Sequence, residues 1–169
     1  MDVTNHEKPI IIATGTRLYN QLSRSFKQPG KIILAEGLND LFQVLPRNIG
    51  ATLLLDLSKF NNDVEHPAIK TIFKKGFEQR IIVFSSEQEQ VNLYKLFALG
   101  ARGFCGTTLS DELLIKVIKV VEDGELWIGR KLIGYLLSKL VLEMARKNDS
   151  ASVQSLNDCE LTVRELEVT

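Results

Sequence analysis

Ala51-Thr52-Leu53-Leu54-Leu55-Asp56-Leu57-Ser58 is a nearly continuous apolar run that ends in one carboxylate. A run this short and apolar predicts a strand buried on both faces, as in the middle of a parallel sheet. In open α/β sheets the reactive site lies beyond the carboxyl ends of the strands, which puts Asp56 at that rim. Similar runs lie on both sides of it. Ile10-Ile11-Ile12 within Pro9 to Ala13, Lys31 to Ala35, Ile81-Ile82-Val83-Phe84 within Arg80 to Ser85, and Arg102 to Cys105 each predict a strand.

The segments between these runs have helical spacing. Leu18, Leu22 and Phe26 recur every fourth residue; Asp40 to Leu45 predicts a short helix, and Ile69, Ile72 and Phe73 form a stripe ending near Gly76. Glu87 to Leu99 carries Val91, Tyr94 and Phe97, and a helix capped by Ser110 carries Leu114, Val117, Ile118 and Val121 as far as Gly124. Lys59 to Asp63 reads as a polar loop. Strands alternating with helices predict βαβ units. The expected fold is α/β: a flavodoxin-like, doubly wound five-stranded parallel sheet in the order 2-1-3-4-5, with an extra C-terminal sixth helix. In that order the tips after Ala13 and Asp56 lie side by side.

The sixth helix is expected from Glu125 to Lys147. Its apolar residues are too widely spread for a single core-facing stripe, which predicts a second face for a partner chain. Ile133, Leu137, Leu140 and Met144 are the dimerisation candidates. Asn148 to Asp158 is polar and reads as a linker. Thr162 and Glu165 then make a capping box, with Leu161 and Leu166 at the staple positions. The organisation is therefore an α/β domain over 8–124, a helix over 125–147, a linker over 148–160, and over 161–169 the first turns of a second domain that the chain cuts short.

Composition narrows the function. With 169 residues, 44% hydrophobic and 25% charged, the chain suits one ordinary domain with an extension. A formal net charge of zero gives the whole chain no electrostatic preference for nucleic acid or membrane. Cys105 and Cys159 make no disulfide framework, and His6 and His66 have no metal-ligand spacing. The polar N-terminus is no signal peptide, and no apolar run reaches bilayer length; a cytoplasmic protein with no membrane partner is expected. A small stand-alone enzyme on this fold is the rival class, but there is no Gly-rich phosphate loop and no nucleophile elbow, so no enzyme is expected. A pure protein-interaction module is the other alternative.

Four stretches carry a family resemblance. Leu53-Leu54-Leu55-Asp56-Leu57 resembles a phosphoacceptor strand. Leu99-Gly100-Ala101-Arg102-Gly103-Phe104 resembles the approach to the last helix of a receiver domain. Glu122-Asp123-Gly124-Glu125-Leu126-Trp127-Ile128 resembles the exit from that helix. Leu161-Thr162-Val163-Arg164-Glu165-Leu166-Glu167-Val168 resembles the opening of a LuxR-type helix-turn-helix domain. The chain thus resembles a two-component response regulator of the LuxR/FixJ type, with 8–124 as its receiver-like domain.

That resemblance implies phosphoryl transfer from a histidine kinase to an aspartate, aided by Mg²⁺. Asp56 stands at the phosphoacceptor-like position and Ser85 at the switch-like position. The family's acidic pair is replaced by Thr14 and Gly15, and its lysine by Thr107. Mg²⁺ is therefore not expected, and conventional phosphorylation of Asp56 is the alternative rather than the first reading; the sensor kinase is left open. Trp127-Ile128-Gly129-Arg130 resembles the motif through which a subgroup of LuxR-type regulators binds cyclic di-GMP, although Ile128 and Gly129 depart from it. Trp127 and Arg130 are the candidate residues for that ligand, with plain packing as the competing role of Trp127. No cofactor is firmly expected. The expected partners are a second copy of the chain and DNA, the latter through the missing C-terminal domain.

Overall fold

The computed structural model describes residues 10–12, 15–26, 32–75, 78–86, 92–130 and 133–149. The strands are β1 (Ile10–Ile12), β2 (Ile32–Leu34), β3 (Thr52–Asp56), β4 (Arg80–Ser85) and β5 (Ala101–Gly106), all parallel in the order β2-β1-β3-β4-β5. The helices between and after them are α1 (Thr16–Ser25), α2 (Leu38–Val44), α3 (Pro67–Lys75), α4 (Leu93–Ala98) and α5 (Asp111–Glu122).

The apolar runs explain the layers. β3 has neighbours on both sides, pairing Leu54 with Ile12 and with Ile82. Successive side chains of a strand point to opposite faces. Leu54, Ile82 and Phe84 join Leu18 and Leu22 of α1 and Leu114, Val117, Ile118 and Val121 of α5 in one core cluster. Leu53, Leu55, Ile81 and Val83 point the other way and are equally buried. Right-handed crossovers require α1 and α2 to lie on opposite faces, because the chain steps outward from β1 to β2 and then back past β1 to β3. A continuous apolar strand is what two covered faces require.

Several boundaries differ from the sequence expectations. Leu57–Phe60, at the edge of the expected polar loop, forms a 3-10 turn because Leu57 and Phe60 are apolar and bury against the domain. α2 is followed by a 3-10 turn, Leu45–Arg47, with Pro46 inside it. α4 begins at Leu93, where the Asn92 side chain accepts from the Lys95 N–H. Residues 125–129 are not helical. The Trp127 N–H donates to Arg102 O and the Phe104 N–H donates to Trp127 O, each at 3.0 Å, so Trp127 lies against β5 as a short parallel bridge. Those two bonds hold the backbone extended where the sixth helix was expected to start.

The chain divides into two compact units, Met1–Gly129 and Arg130–Thr169. In the second, residues 133–149 are helical and are termed α6. Asn148 and Asp149, expected in the linker, belong to this helix. The rest of the expected linker and the capping box at Thr162 lie outside the described residues. No described helix is long and apolar enough to cross a membrane.

Candidate functional site

Strand register assembles the rim. β3 ends at Asp56, paired with Phe84; β4 ends at Ser85, paired with Gly106; and β1, beside β3, leads towards Gly15 at the start of α1. Gly15, Asp56, Ser85 and Thr107 thus follow the carboxyl ends of neighbouring strands, as the sequence placed them. Thr14 lies outside the described residues.

Asp56 is half-buried and caps the 3-10 turn that follows it. Its Oδ1 accepts two bonds from Ser58, one from the backbone N–H at 2.9 Å and one from the hydroxyl at 2.6 Å. This is the local turn that an Asp two residues before a serine readily forms. Its Oδ2 faces Gly15, where an added Cβ would lie 3.5 Å away. The Gly15 position is therefore directly beside the carboxylate, as the family pattern requires, but it carries no ligand. Its φ of +101° is one that side-chain-bearing residues rarely adopt, so the backbone, rather than the space, favours glycine here.

Ser85 is fully buried, and its hydroxyl donates to Asn62 Oδ1 at 2.8 Å. Asn61 and Asn62 both have left-handed backbones, with φ of 52° and 54°. Asparagine tolerates that region, which explains the pair in this turn. Thr107 is half-buried just past β5. Nearby, Gln21 of α1 donates to Leu109 O at 2.8 Å, tying α1 to the loop before α5. Ser58 and Asn62 were not foreseen as parts of the site. The spacing of Asp56 and Ser58, and the Asn-Asn pair, were the available signals.

The donor set does not fit Mg²⁺. That ion demands near-octahedral oxygen coordination, usually anchored on carboxylates, whereas Asp56 already serves Ser58 and Gly15 offers nothing. No group of three or more His, Cys, Asp or Glu that could hold a metal occurs among the described residues. Thr107 has no charge to pair with a phosphoryl group. On the loop before α3, Glu65 is bound by Lys70 at 2.6 Å and also by Lys95; hydrogen bonds from Lys70 and then Lys95 pull its carboxyl down to about 2.

Trp127 is half-buried against the α1–α5 core cluster, as a packing residue would be. Arg130 is exposed and belongs to the second unit. Ile133, Leu137, Leu140 and Met144 on α6 are all exposed, at 44–66%.

No family model matches the chain. The chain is 28% identical over 118 residues to the oxygen regulatory protein NreC of Staphylococcus epidermidis (strain ATCC 12228 / FDA PCI 1200), a match covering 69% of this chain and 52% of NreC. The chain therefore spans about half the length of that curated relative. Among solved structures it is similar to the isolated REC domain of RcsB from Salmonella enterica serovar Typhimurium, with a TM-score of 0.59 and 20% identity over 78% of this chain and 98% of that one. It is also similar to a LuxR family DNA-binding response regulator from Silicibacter pomeroyi, with a TM-score of 0.55 and 20% identity over 73% of this chain and 98% of that one.

The fold is that of response-regulator receiver domains. The solved structures that it is similar to include LuxR-family response regulators, the family that its sequence resembles.

Proposed function

We infer that this chain is the signal-receiving, dimerising part of a DNA-binding transcriptional regulator whose input is not Mg-dependent phosphorylation of Asp56. One observation carries the reading: Gly15 stands against Asp56 Oδ2, where a metal-binding acid would be needed. A phosphoryl group would add a charge of roughly −2 at a rim where Thr107 replaces the lysine. Incubation with beryllofluoride and Mg²⁺ tests this. Unchanged amide resonances around Asp56 and Ser85 are expected; a stable adduct on Asp56 would restore the phosphoswitch.

Cyclic di-GMP or a protein partner then supplies the input. Trp127 and Arg130 are the residues through which the dinucleotide would bind, the arginine pairing with a phosphate or stacking on a guanine. Calorimetric titration separates the two inputs: heat that is lost on Arg130→Ala favours the dinucleotide, and no heat at high micromolar concentration leaves the partner.

Output is a dimer acting on DNA. α6 offers an exposed stripe of Ile133, Leu137, Leu140 and Met144 at alternating spacings of four and three, the pattern of a two-stranded seam. The Silicibacter regulator is described as DNA-binding. By analogy, a helix-turn-helix beginning near Leu161 would place its second helix in the major groove of a two-fold-related site.

A further inference from the structure

We propose that α6 pairs with α6 of a second copy of this chain in the same direction and in register, as a parallel two-stranded coiled coil flanked by Leu136 and Val141. This arrangement rests on the dimer proposed above and adds its direction and register. It concerns the second unit alone and does not depend on how Asp56 is used.

The spacing of Ile133, Leu137, Leu140 and Met144 makes them positions d, a, d and a of a seven-residue repeat. Leu136 then falls at g and is half-buried, and Val141 falls at e and is 64% exposed. At its middle the apolar band is therefore one residue wider on each side than the core positions alone. Lys139 falls outside the band, at c. Its ammonium lies 5.7 Å from the centroid of the Tyr135 ring, which stands at f, so the cation is kept on the outer side of the helix. The Ser138 hydroxyl, at b, donates to Tyr135 O at 2.8 Å and is likewise satisfied within its own helix.

Core positions alone do not choose a direction. Parallel pairing sets each of the four against itself. Antiparallel pairing that keeps all four inside sets Leu137 against Leu140 and Ile133 against Met144, and these pairs are equally apolar. The flanks do choose. In a parallel coil the g residue of one helix lies beside the e residue of the other helix's next heptad. Leu136 therefore meets Val141 of the second copy, and by symmetry Val141 meets Leu136. The next g residue, Glu143, meets Asn148, whose amide can donate to the carboxylate. In the antiparallel coil g lies beside g and e beside e. Leu136 would then face the carboxylate of Glu143, and Val141 would face Gly134, which has no side chain to pack. Lys147, at the next d position, ends the seam, its long stem letting the ammonium reach water. A leucine and a valine that cover each other under a two-fold axis fit a second copy of the same chain as the occupant of this face. Both copies of Asp149 then lie at one end of the coil.

Disulfide trapping on the 169-residue chain tests direction and register, with Cys159→Ser as the background and Cys105 left in place because it is buried. Met144→Cys is expected to give a covalent dimer on mild oxidation, because in-register a positions face each other within reach of a disulfide. In the antiparallel coil the two copies of residue 144 stand eleven residues apart, about 16 Å along the axis, and cannot be bridged. That coil would instead join Ile133→Cys to Met144→Cys when the two variants are mixed. Such a mixed product in place of the Met144→Cys dimer would overturn the proposal. Leu136→Glu and Val141→Lys should each raise the dissociation constant of the dimer at least tenfold in sedimentation equilibrium. The double variant should recover at least fivefold, since the two charges meet in the parallel coil; a double variant no tighter than the weaker single one would count against it. A dimer that yields neither cross-linked product overturns this arrangement while leaving dimerisation standing. A chain that is monomeric at tens of micromolar removes the dimer itself, and the parallel coil with it, and gives the face to another occupant.

Discussion

At the scale of single residues, Asp56 shows how one carboxylate changes role with its neighbours. Beside acids and a lysine it would be a phosphoacceptor; beside Gly15, Ser58 and Thr107 it caps a turn. Restoring one acid is not enough. Gly15→Asp must place a side-chain residue at a φ of +101°, so it is expected to cost stability without giving beryllofluoride binding, as thermal melts and fluorine NMR would report. Cys105 offers a second residue-scale expectation. Burial pushes its thiol up to about 12, from 9.0. The folded state keeps the proton that the unfolded chain loses above about pH 9, so this contribution to stability is present below pH 9 and falls as pH rises towards 12. In the folded chain at pH 8, Cys105 should resist iodoacetamide until denaturant is added; rapid labelling of Cys105 in the native chain would contradict its burial.

At the scale of elements, β3 and α5 set local stability. Leu54 is fully buried between α1 and α5, so Leu54→Ala should destabilise by about 2–5 kcal/mol, read as a lower urea midpoint at unchanged slope. Ser110 caps α5 by accepting from the Leu113 N–H at 3.3 Å; Ser110→Ala should cost about 1 kcal/mol in the same assay. The strands were legible because fully buried parallel strands are apolar along their whole length, and Ser110, Asp111 and Glu112 announced α5. The missed features depended on groups far apart in the chain. Helical spacing continued past Gly124, but the backbone of Trp127 found Arg102 and Phe104 instead. Local pattern cannot see a hydrogen bond that β5 offers from more than twenty residues away. The rim positions around Asp56 could be placed from the order of strands, whereas the hydrogen bond from Ser85 to Asn62 emerged only from packing.

For the whole molecule, association is the property most open to test. α6 exposes Ile133, Leu137, Leu140 and Met144 together with Val141 and Leu142, an apolar surface that isolated helices seldom keep in water. Light scattering of the whole chain at tens of micromolar should report twice the monomer mass. Leu137→Glu, in the middle of the stripe, should halve it without altering the melting of the first unit. A wild-type chain that stays monomeric would remove α6 from the dimerising role.

The bridge at Trp127 has a consequence for solubility. β5 is an outer strand of the sheet, and an uncovered outer strand presents a ladder of backbone groups to any passing chain. By engaging Arg102 O and the Phe104 N–H, the segment leaving α5 occupies that ladder from within the same polypeptide. A chain ending at Glu122 would retain every strand yet lose this cover. It should form thioflavin-positive aggregates at concentrations where the intact chain stays clear, which makes the few residues after α5 a guard against amyloid-like pairing.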